Sequence, residues 1–179
     1  MGVFGHGTEF AHVGHVRGRV TAMGQAEQRV DRGSRTVRAS AAAVYAAMTE
    51  PDALAAWLPP EGMSGRIDRF DPRPGGGFRM VLTYLDPAAG HGKTSEAEDV
   101  SEVGFTELVP RERVVQRIVF DSPDPEFAGT MTMTWRLTEQ PEGTLVTVEA
   151  TDVPPGISQS DHEAAFTSTL ANLAAHVER

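Results

Sequence analysis

Three consecutive residues near the end of the chain, Ser160, Asp161 and His162, have the side-chain types of a hydrolytic triad. In a triad, a serine nucleophile lies within hydrogen-bond reach of a histidine base that a carboxylate orients. Neighbouring residues at a helix start point in different directions, so these three cannot form a triad among themselves. The Gly-x-Ser-x-Gly elbow of many hydrolases is also missing from the sequence. We therefore interpret His162 as a first-turn residue at the surface or at the rim of a pocket.

General acid–base chemistry requires fewer groups. Proton abstraction next to a carbonyl needs one or two polar side chains with shifted pKa values in an apolar pocket. The middle of the chain supplies four candidates, Tyr84, Asp68, Glu107 and Arg117. A shift of one residue in strand register turns a side chain to the other face of a sheet. For each candidate the alternative is therefore a position facing solvent, which is favoured because charged groups are rarely buried.

The segment 71–77 combines two prolines with three glycines and carries Asp71 and Arg73. A glycine run can cradle a phosphate where it leads into the N-terminus of a helix. Here it leads into residues 78–84, whose apolar members recur at every second position, as in a half-buried strand. The segment is therefore predicted to be a rigid turn into a strand, with Asp71 and Arg73 as a local ion pair.

Residues 1–30 are rich in glycine, histidine and valine and show no clear periodicity, so we predict a flexible extension. Glu9, His12 and His15 lie three residues apart and could be interpreted as metal ligands. Paired ligands on a helix are better served by i and i+4 spacing, and the neighbouring glycines disfavour a helix. We predict neither a metal site nor a cofactor.

The composition excludes several classes of function. The 179 residues contain no cysteine, which removes disulfides, thiolate nucleophiles and Cys-based metal sites. The formal net charge of −9 leaves no basic face to neutralise phosphates, so nucleic-acid binding is not expected. No apolar run reaches the roughly 20 residues of a membrane span, and no signal peptide is recognisable. We expect a cytoplasmic protein without membrane insertion.

The pattern of residues 31–179 predicts a single α+β domain. Helices are predicted over 41–48, capped by Ser40, over 51–57, and over 161–177, capped by Ser160 or Asp161. The strands are predicted at 34–39, 66–70, 78–85, 98–109, 113–120, 129–137 and 144–151. Because the last helix carries an apolar stripe, it must pack on the apolar face of the meander. The predicted fold is a curved antiparallel sheet wrapped around a long C-terminal helix.

Three motifs add a resemblance to this element order: Trp57-x-x-Pro60-x-Gly62, Asp71-x-Arg73-Pro74-Gly75-Gly76 and His162-Glu163-Ala164-Ala165-Phe166. With them, the chain from about 32 to 178 resembles the SRPBCC superfamily, which includes START domains, polyketide cyclases and birch-pollen allergens. Within it, the chain is similar to the family related to the C-terminal domain of the activator of the heat-shock protein 90 ATPase. The resemblance implies the helix-grip fold and a cavity between the sheet and the long helix.

The cavity implied by the resemblance would be open to elongated apolar molecules. Methionine and aromatic side chains adapt to irregular ligands, although they fill irregular cores equally well, and plain core packing is the alternative for each residue. The candidate lining residues are Trp57, Met63, Phe78, Met80, Leu82, Tyr84, Phe105, Met131, Met133, Trp135, Phe166, Leu170 and Leu173.

The leading hypothesis is a non-catalytic binding module that holds an apolar or amphipathic small molecule between sheet and helix. One alternative is an enzyme of cyclase or dehydratase type that uses polar groups of the pocket. Another is a regulator of a chaperone of the heat-shock protein 90 type. The further candidate partners are a chaperone and, in a homodimer, a second copy of the chain.

Overall fold

A computed structural model describes residues 28–86 and 98–179 of the chain. The order of its elements is the predicted one: one strand and two short helices precede a meander, and a long helix follows it. The strands are β1 (Val30–Val37), β2 (Met63–Asp71), β3 (Gly77–Tyr84), β4 (Glu98–Val109), β5 (Arg113–Phe120), β6 (Gly129–Gln140) and β7 (Gly143–Thr151). The helices are α1 (Ala41–Thr49), α2 (Pro51–Trp57) and α3 (Gln159–Val177).

The seven strands form one antiparallel sheet in the order β1-β7-β6-β5-β4-β3-β2. Strands β2 to β7 follow one another as a meander, and β1 joins the far edge by pairing with β7. Alternation explains the sheet's apolar face, since Val146, Val148 and Ala150 of β7 are buried and the residues between them are partly exposed. Together with the three helices this confirms the predicted α+β helix-grip fold.

Three elements begin at least two residues earlier than predicted. Strand β1 begins at Val30 rather than Ser34. The sequence did not indicate the earlier start, because Asp31 and Gly33 interrupt the apolar alternation of a strand. Strand β2 begins at Met63 and contains a register shift after Ile67. Helix α3 begins two residues earlier than predicted and is capped by Ser158, whose side chain accepts a hydrogen bond from the Asp161 amide. The predicted cap Ser40 of α1 is confirmed.

The glycine-rich segment is a turn into β3, as predicted. Gly75 has a φ of +83°, a region that glycine adopts without strain. The amide of Gly76 donates to the Arg73 carbonyl at 2.8 Å, and the Gly75 amide donates to the Phe105 carbonyl of β4 at 2.8 Å. The guanidinium of Arg73 contacts the Asp71 carboxylate at 2.9 Å, which is the predicted local ion pair. The segment therefore fixes where β3 enters the sheet.

Helix α3 packs directly on β1 and on the two short helices. Its buried residues Phe166, Leu170 and Leu173 lie on one stripe and join the main core. Close approach to β1 is possible because Gly33 has no side chain: a Cβ there would lie 2.7 Å from the Cβ of Phe166. The position of α3 over the sheet is thus set by a glycine on the edge strand.

No helix within residues 28–86 and 98–179 is long and apolar enough to span a membrane. Most of the predicted extension over 1–30, and Glu9, His12 and His15 within it, lie outside the described residues. Residues 28–30 are described, and β1 already begins at Val30.

Replacing Gly33 by alanine tests the close approach of α3. The added methyl group would force α3 away from β1, so we expect the free energy of unfolding to fall by about 1–3 kcal/mol, as for overpacked cores. Urea unfolding measures the loss. The matched control is Ser34→Ala on the exposed side of the same strand, which should change stability by less than about 0.5 kcal/mol. Equal effects of the two substitutions would contradict this packing.

Candidate functional site

A cavity of about 300 Å³ lies between the N-terminal half of α3 and the concave face of strands β3 to β6. It exists because α3 packs on β1, α1 and α2 and stands off from the middle of the sheet. Its lining is mainly apolar. The lining residues are Leu58, Pro60, Phe78, Met80, Leu82, Ser101, Val103, Gln116, Ile118, Phe120, Met131, Met133, Trp135, His162, Ala165, Phe166 and Thr169.

The predicted lining residues divide into two groups in the structure. Those that border the cavity are Phe78, Met80, Leu82, Met131, Met133, Trp135 and Phe166. The others do not border it: they are Trp57, Met63, Tyr84, Phe105, Leu170 and Leu173. One alternating pattern in the sequence therefore corresponds to two different environments, a cavity wall and a filled core.

The predicted residues away from the cavity wall serve the fold. Trp57 packs edge-on against Trp135, with ring centroids 6.1 Å apart, and its indole N–H donates to the Ala47 carbonyl at 2.8 Å. Phe105 is buried, and its ring packs against the rings of Phe70 and Phe78. Leu170 and Leu173 are buried in the core. Met63 and Tyr84 are paired in register at one end of β2 and β3.

Four polar side chains border the cavity among the apolar ones: Ser101, Gln116, His162 and Thr169. Gln116 of β5 is the most deeply placed on the sheet, with 8% of its surface exposed. Its Oε1 accepts a hydrogen bond from the Trp135 indole N–H at 3.0 Å. With the amide oxygen engaged, the amide NH₂ group is the donor that Gln116 can direct to a ligand.

His162 borders the same cavity from the first turn of α3, which places it at the predicted pocket rim. Its Nδ1 lies 2.8 Å from Oδ2 of Asp31, a residue of β1 with no exposed surface. The ring also packs on Phe166, one helical turn later, with centroids 4.3 Å apart. The same Asp31 carboxylate accepts two hydrogen bonds from Arg29, at 2.8 and 2.7 Å. Asp31 is thus held between a guanidinium and an imidazole.

The electrostatics of Asp31 favour the charged carboxylate. Burial by itself would raise the pKa of the Asp31 carboxyl, because the charged form loses its hydration. The hydrogen bonds from Arg29 and His162 outweigh burial and hold the pKa of Asp31 below its ordinary value. A carboxylate without a proton is only an acceptor, so the Nδ1–H of His162 is the donor in their hydrogen bond.

The acid–base candidates suggested by the sequence lie away from the cavity. Glu107 forms a bidentate salt bridge with Arg113, with N–O distances of 3.0 and 2.7 Å, which lowers the pKa of the Glu107 carboxyl. Asp68 pairs with two arginines of β2 and β3. Burial and the neighbouring Asp99 carboxylate, 3.4 Å from its hydroxyl, raise the pKa of Tyr84. Arg117 is exposed on β5. None of the four borders the cavity.

The glycine-rich turn borders a second hollow of about 330 Å³. Arg117 and Val119 border it and alternate along β5 with Gln116 and Ile118 of the cavity wall, so this hollow lies on the other face of the sheet. Its charged groups are the ion pair Arg69–Glu102, the Asp71 carboxylate and the exposed Arg117 guanidinium. Both carboxylates are paired with arginines of the protein, Asp71 with Arg73, and the turn leads into a strand instead of a helix.

Sequence reasoning missed Asp31 and Gln116. Asp31 is 131 residues from His162 along the chain, so no local spacing connects them. A weaker signal was available: His162 lies four residues before Phe166, which places it on the apolar stripe of α3. Gln116 interrupts an otherwise apolar inward face of β5, between Val114 and Ile118. A polar residue on such a face is itself a sign of a pocket.

Replacing Asp31 by asparagine keeps the shape of the side chain and removes its charge. We expect the free energy of unfolding near neutral pH to fall by about 1–3 kcal/mol, the range for a lost partner of buried polar groups. The folded pKa of Asp31 is lowered, so its stabilisation is present above the unfolded pKa and is lost as pH falls through the folded pKa. The difference between wild type and variant should therefore shrink in acid.

Urea unfolding at a series of pH values measures that difference. The control is Asp121→Asn, which changes an exposed carboxylate and should leave stability within about 0.5 kcal/mol of wild type. A wild type–D31N difference that stays constant from neutral pH into strong acid would contradict the assigned charge state.

Comparisons with known proteins agree with the fold. A protein from Chromobacterium violaceum is 29% identical, with a TM-score of 0.73 over 84% of this chain and 97% of that one. An AHSA1-like protein from Aeromonas hydrophila is 19% identical, with a TM-score of 0.66 over 84% and 92%. DynU16, from the dynemicin biosynthetic locus, is 23% identical, with a TM-score of 0.60 over 83% and 47%. No curated protein matches the chain.

The last two similarities concern the fold alone. The family is given by the match of residues 38–178 to the model described as Activator of Hsp90 ATPase homolog 1-like protein. This match spans all three helices and the whole meander, and only β1 precedes it. The chain therefore belongs to the family of Activator of Hsp90 ATPase homolog 1-like proteins, within the SRPBCC superfamily.

Proposed function

We propose that this protein is a binding module for an apolar or amphipathic small molecule, which it holds in the cavity between the sheet and α3. The cavity itself is the observation that carries this proposal, since its volume of about 300 Å³ lies at the lower end of the range of ligand pockets, roughly 300–1,000 Å³. A completely filled interior would have left no room for a ligand. The methionines Met80, Met131 and Met133 give the wall an adaptable surface.

The distribution of polar groups favours an amphipathic ligand. Its apolar body would lie on the side chains of β3 to β6, whose burial provides most of the binding free energy. Its polar part would contact His162 of α3 and the Gln116 amide of β5. These are two of the few polar groups in the lining, and hydrogen bonds within the protein fix their orientations. The proposed ligand class is therefore a small, mostly apolar molecule with one or two hydrogen-bonding groups.

A second candidate is an enzyme of cyclase or dehydratase type, and one observation favours it. The Asp31–His162 pair places a carboxylate-oriented imidazole at the cavity, as general acid–base catalysis requires. The hypothesis of a regulator of a heat-shock protein 90 type chaperone rests on the family description alone, and no contact of the site favours it. The homodimer stays a prediction from the sequence.

Filling the cavity should weaken binding. In Thr169→Phe, a phenyl group would project from α3 into the space that the ligand needs. We expect the neutral fluorescent probe N-phenyl-1-naphthylamine to bind wild type with enhanced emission, and its affinity for T169F to fall at least about tenfold, equivalent to about 1.4 kcal/mol. Fluorescence titration measures both dissociation constants, and native mass spectrometry of the purified protein detects a retained ligand.

The adjacent substitution Ser168→Phe is the matched control. Ser168 is exposed, so the same side chain is added to the same helix outside the cavity, and probe affinity should remain that of wild type. Circular dichroism checks that both variants are folded. Failure of the wild-type protein to bind the probe, or equal binding by T169F and wild type, would refute the proposed site.

A further inference from the structure

The imidazole of His162 is held more firmly than a residue at a cavity rim needs to be. Two contacts fix it: the hydrogen bond to buried Asp31 at 2.8 Å and the packing of the ring on Phe166. Only 12% of the side chain remains exposed. The ring therefore has a defined direction, and one of its two nitrogens is already engaged.

The engaged nitrogen determines what the other one can do. Since Nδ1–H donates to the Asp31 carboxylate, Nε2 carries the lone pair in the neutral ring. Among the described residues, Nε2 has no hydrogen-bond partner, and the residue borders the cavity. The geometry thus presents a basic nitrogen at an apolar space. Water competes poorly for protons in such a space, and hydrogen bonds are stronger there.

Gln116 complements this base from the opposite wall. Its amide oxygen is occupied by the Trp135 indole N–H, so its NH₂ group is the donor left for a ligand. A buried amide NH₂ group can hold an oxygen on which negative charge develops. The cavity therefore combines one acceptor, on α3, with one donor, on β5.

We propose that His162 is a general base that removes a proton from a carbon acid bound in the cavity, with Asp31 as its positioning residue and the Gln116 amide as the donor to the developing oxyanion. This inference rests on the proposed function, since it names the ligand class of the same cavity. The substrates are apolar molecules with an acidic C–H next to a carbonyl group.

The step balances without any further reactant. The C–H bond breaks and its proton moves to Nε2 of His162. The electron pair of that bond forms a C=C bond, and the carbonyl π pair moves onto oxygen, which accepts a hydrogen bond from Gln116. Where a C=C bond is conjugated with the enolate, return of the same proton to the far carbon of the dienolate completes an isomerisation. Where the substrate has a second carbonyl, the enolate carbon attacks it and forms a ring C–C bond, and the alkoxide that results takes the proton back from His162.

The charged groups around His162 support this role. Asp31 faces it from β1, and Arg29, just before that strand, pairs with Asp31. Glu163 follows it on α3, where one carboxylate oxygen accepts a hydrogen bond from the Arg32 amide of β1. Arg29 supplies the counter-charge of Asp31, so the hydrogen bond between Asp31 and His162 does not require a protonated ring. When the ring gains the substrate proton, the Asp31 carboxylate stabilises the imidazolium that forms, as in other carboxylate–histidine pairs.

The elimination of 5-nitrobenzisoxazole tests the base directly. A base takes the C–H proton of this apolar, two-ring probe, the electron pair forms a C≡N bond, and the N–O bond breaks to release a coloured phenolate. We expect the full chain to catalyse this reaction with saturation. His162→Asn should reduce kcat/KM by roughly a hundredfold or more, the usual contribution of a general base. The asparagine amide nitrogen can take the place of Nδ1 and keep the hydrogen bond to Asp31.

Two further variants separate catalysis from structure. His162→Ala should be inactive and regain activity when free imidazole is added, which a merely structural role would not produce. Asp31→Asn should lower kcat by about tenfold and move the pH profile of kcat, since the carboxylate no longer orients and stabilises the ring. His176→Ala, which removes the other histidine of α3, should retain the activity of wild type.

Binding of N-phenyl-1-naphthylamine distinguishes the two proposals. Probe binding with wild-type affinity by H162N, together with its lost turnover, supports both. If wild type binds the probe but turns over 5-nitrobenzisoxazole no faster than an equal concentration of imidazole, or if H162N is as active as wild type, the base is refuted and the binding module stands. If wild type binds no probe, the binding module fails and the base proposed for its cavity fails with it.

Discussion

The packing of α3 against β1 is the constraint on which the rest of this molecule depends. Gly33 lets the helix approach the edge strand so closely that a single Cβ would overlap Phe166. Phe166 and Leu170 are buried at this contact, and burial of such side chains contributes roughly 1.5–3 kcal/mol each. The contact fixes the direction of the helix as well as its distance. One turn before Phe166, the same direction brings His162 to the buried carboxylate of Asp31.

Asp31 turns that packing into chemistry. An unpaired buried carboxylate costs several kcal/mol, so its presence on β1 requires nearby donors. Arg29 supplies two of them from just before the start of β1, and His162 supplies the third from the helix. The third donor joins the first strand of the domain to its last helix. A contact that satisfies a buried charge therefore also orients an imidazole at the cavity.

Local patterns were enough to predict most of the fold. Alternation located β3 to β7, and Ser40 and Pro51 located the starts of α1 and α2. Local patterns failed where tertiary contacts determine the secondary structure. Asp31 and Gly33 belong to β1 because β7 pairs with them. The site was predicted less completely for the same reason. Phe78 and Phe105 have equal apolar character and burial, yet only Phe78 borders the cavity.

The difference between cavity wall and core is set by where α3 finds its contacts. The helix packs on β1, α1 and α2, which lie toward one side of the sheet, and it leaves the middle strands uncovered beneath its N-terminal half. Side chains such as Met131 and Met133 then face space instead of helix. An ordinary core would be expected to close such a space, because uncompensated voids are destabilising.

The polar groups that line the cavity give a reason for its persistence. Gln116 and His162 each have one group engaged by the protein and another left for a ligand. The void and the half-engaged polar groups each cost stability, whereas the Asp31 carboxylate stabilises the fold through its partners. The proposed site, which would bind a small molecule and move a proton on it, accounts for the void and the half-engaged groups together.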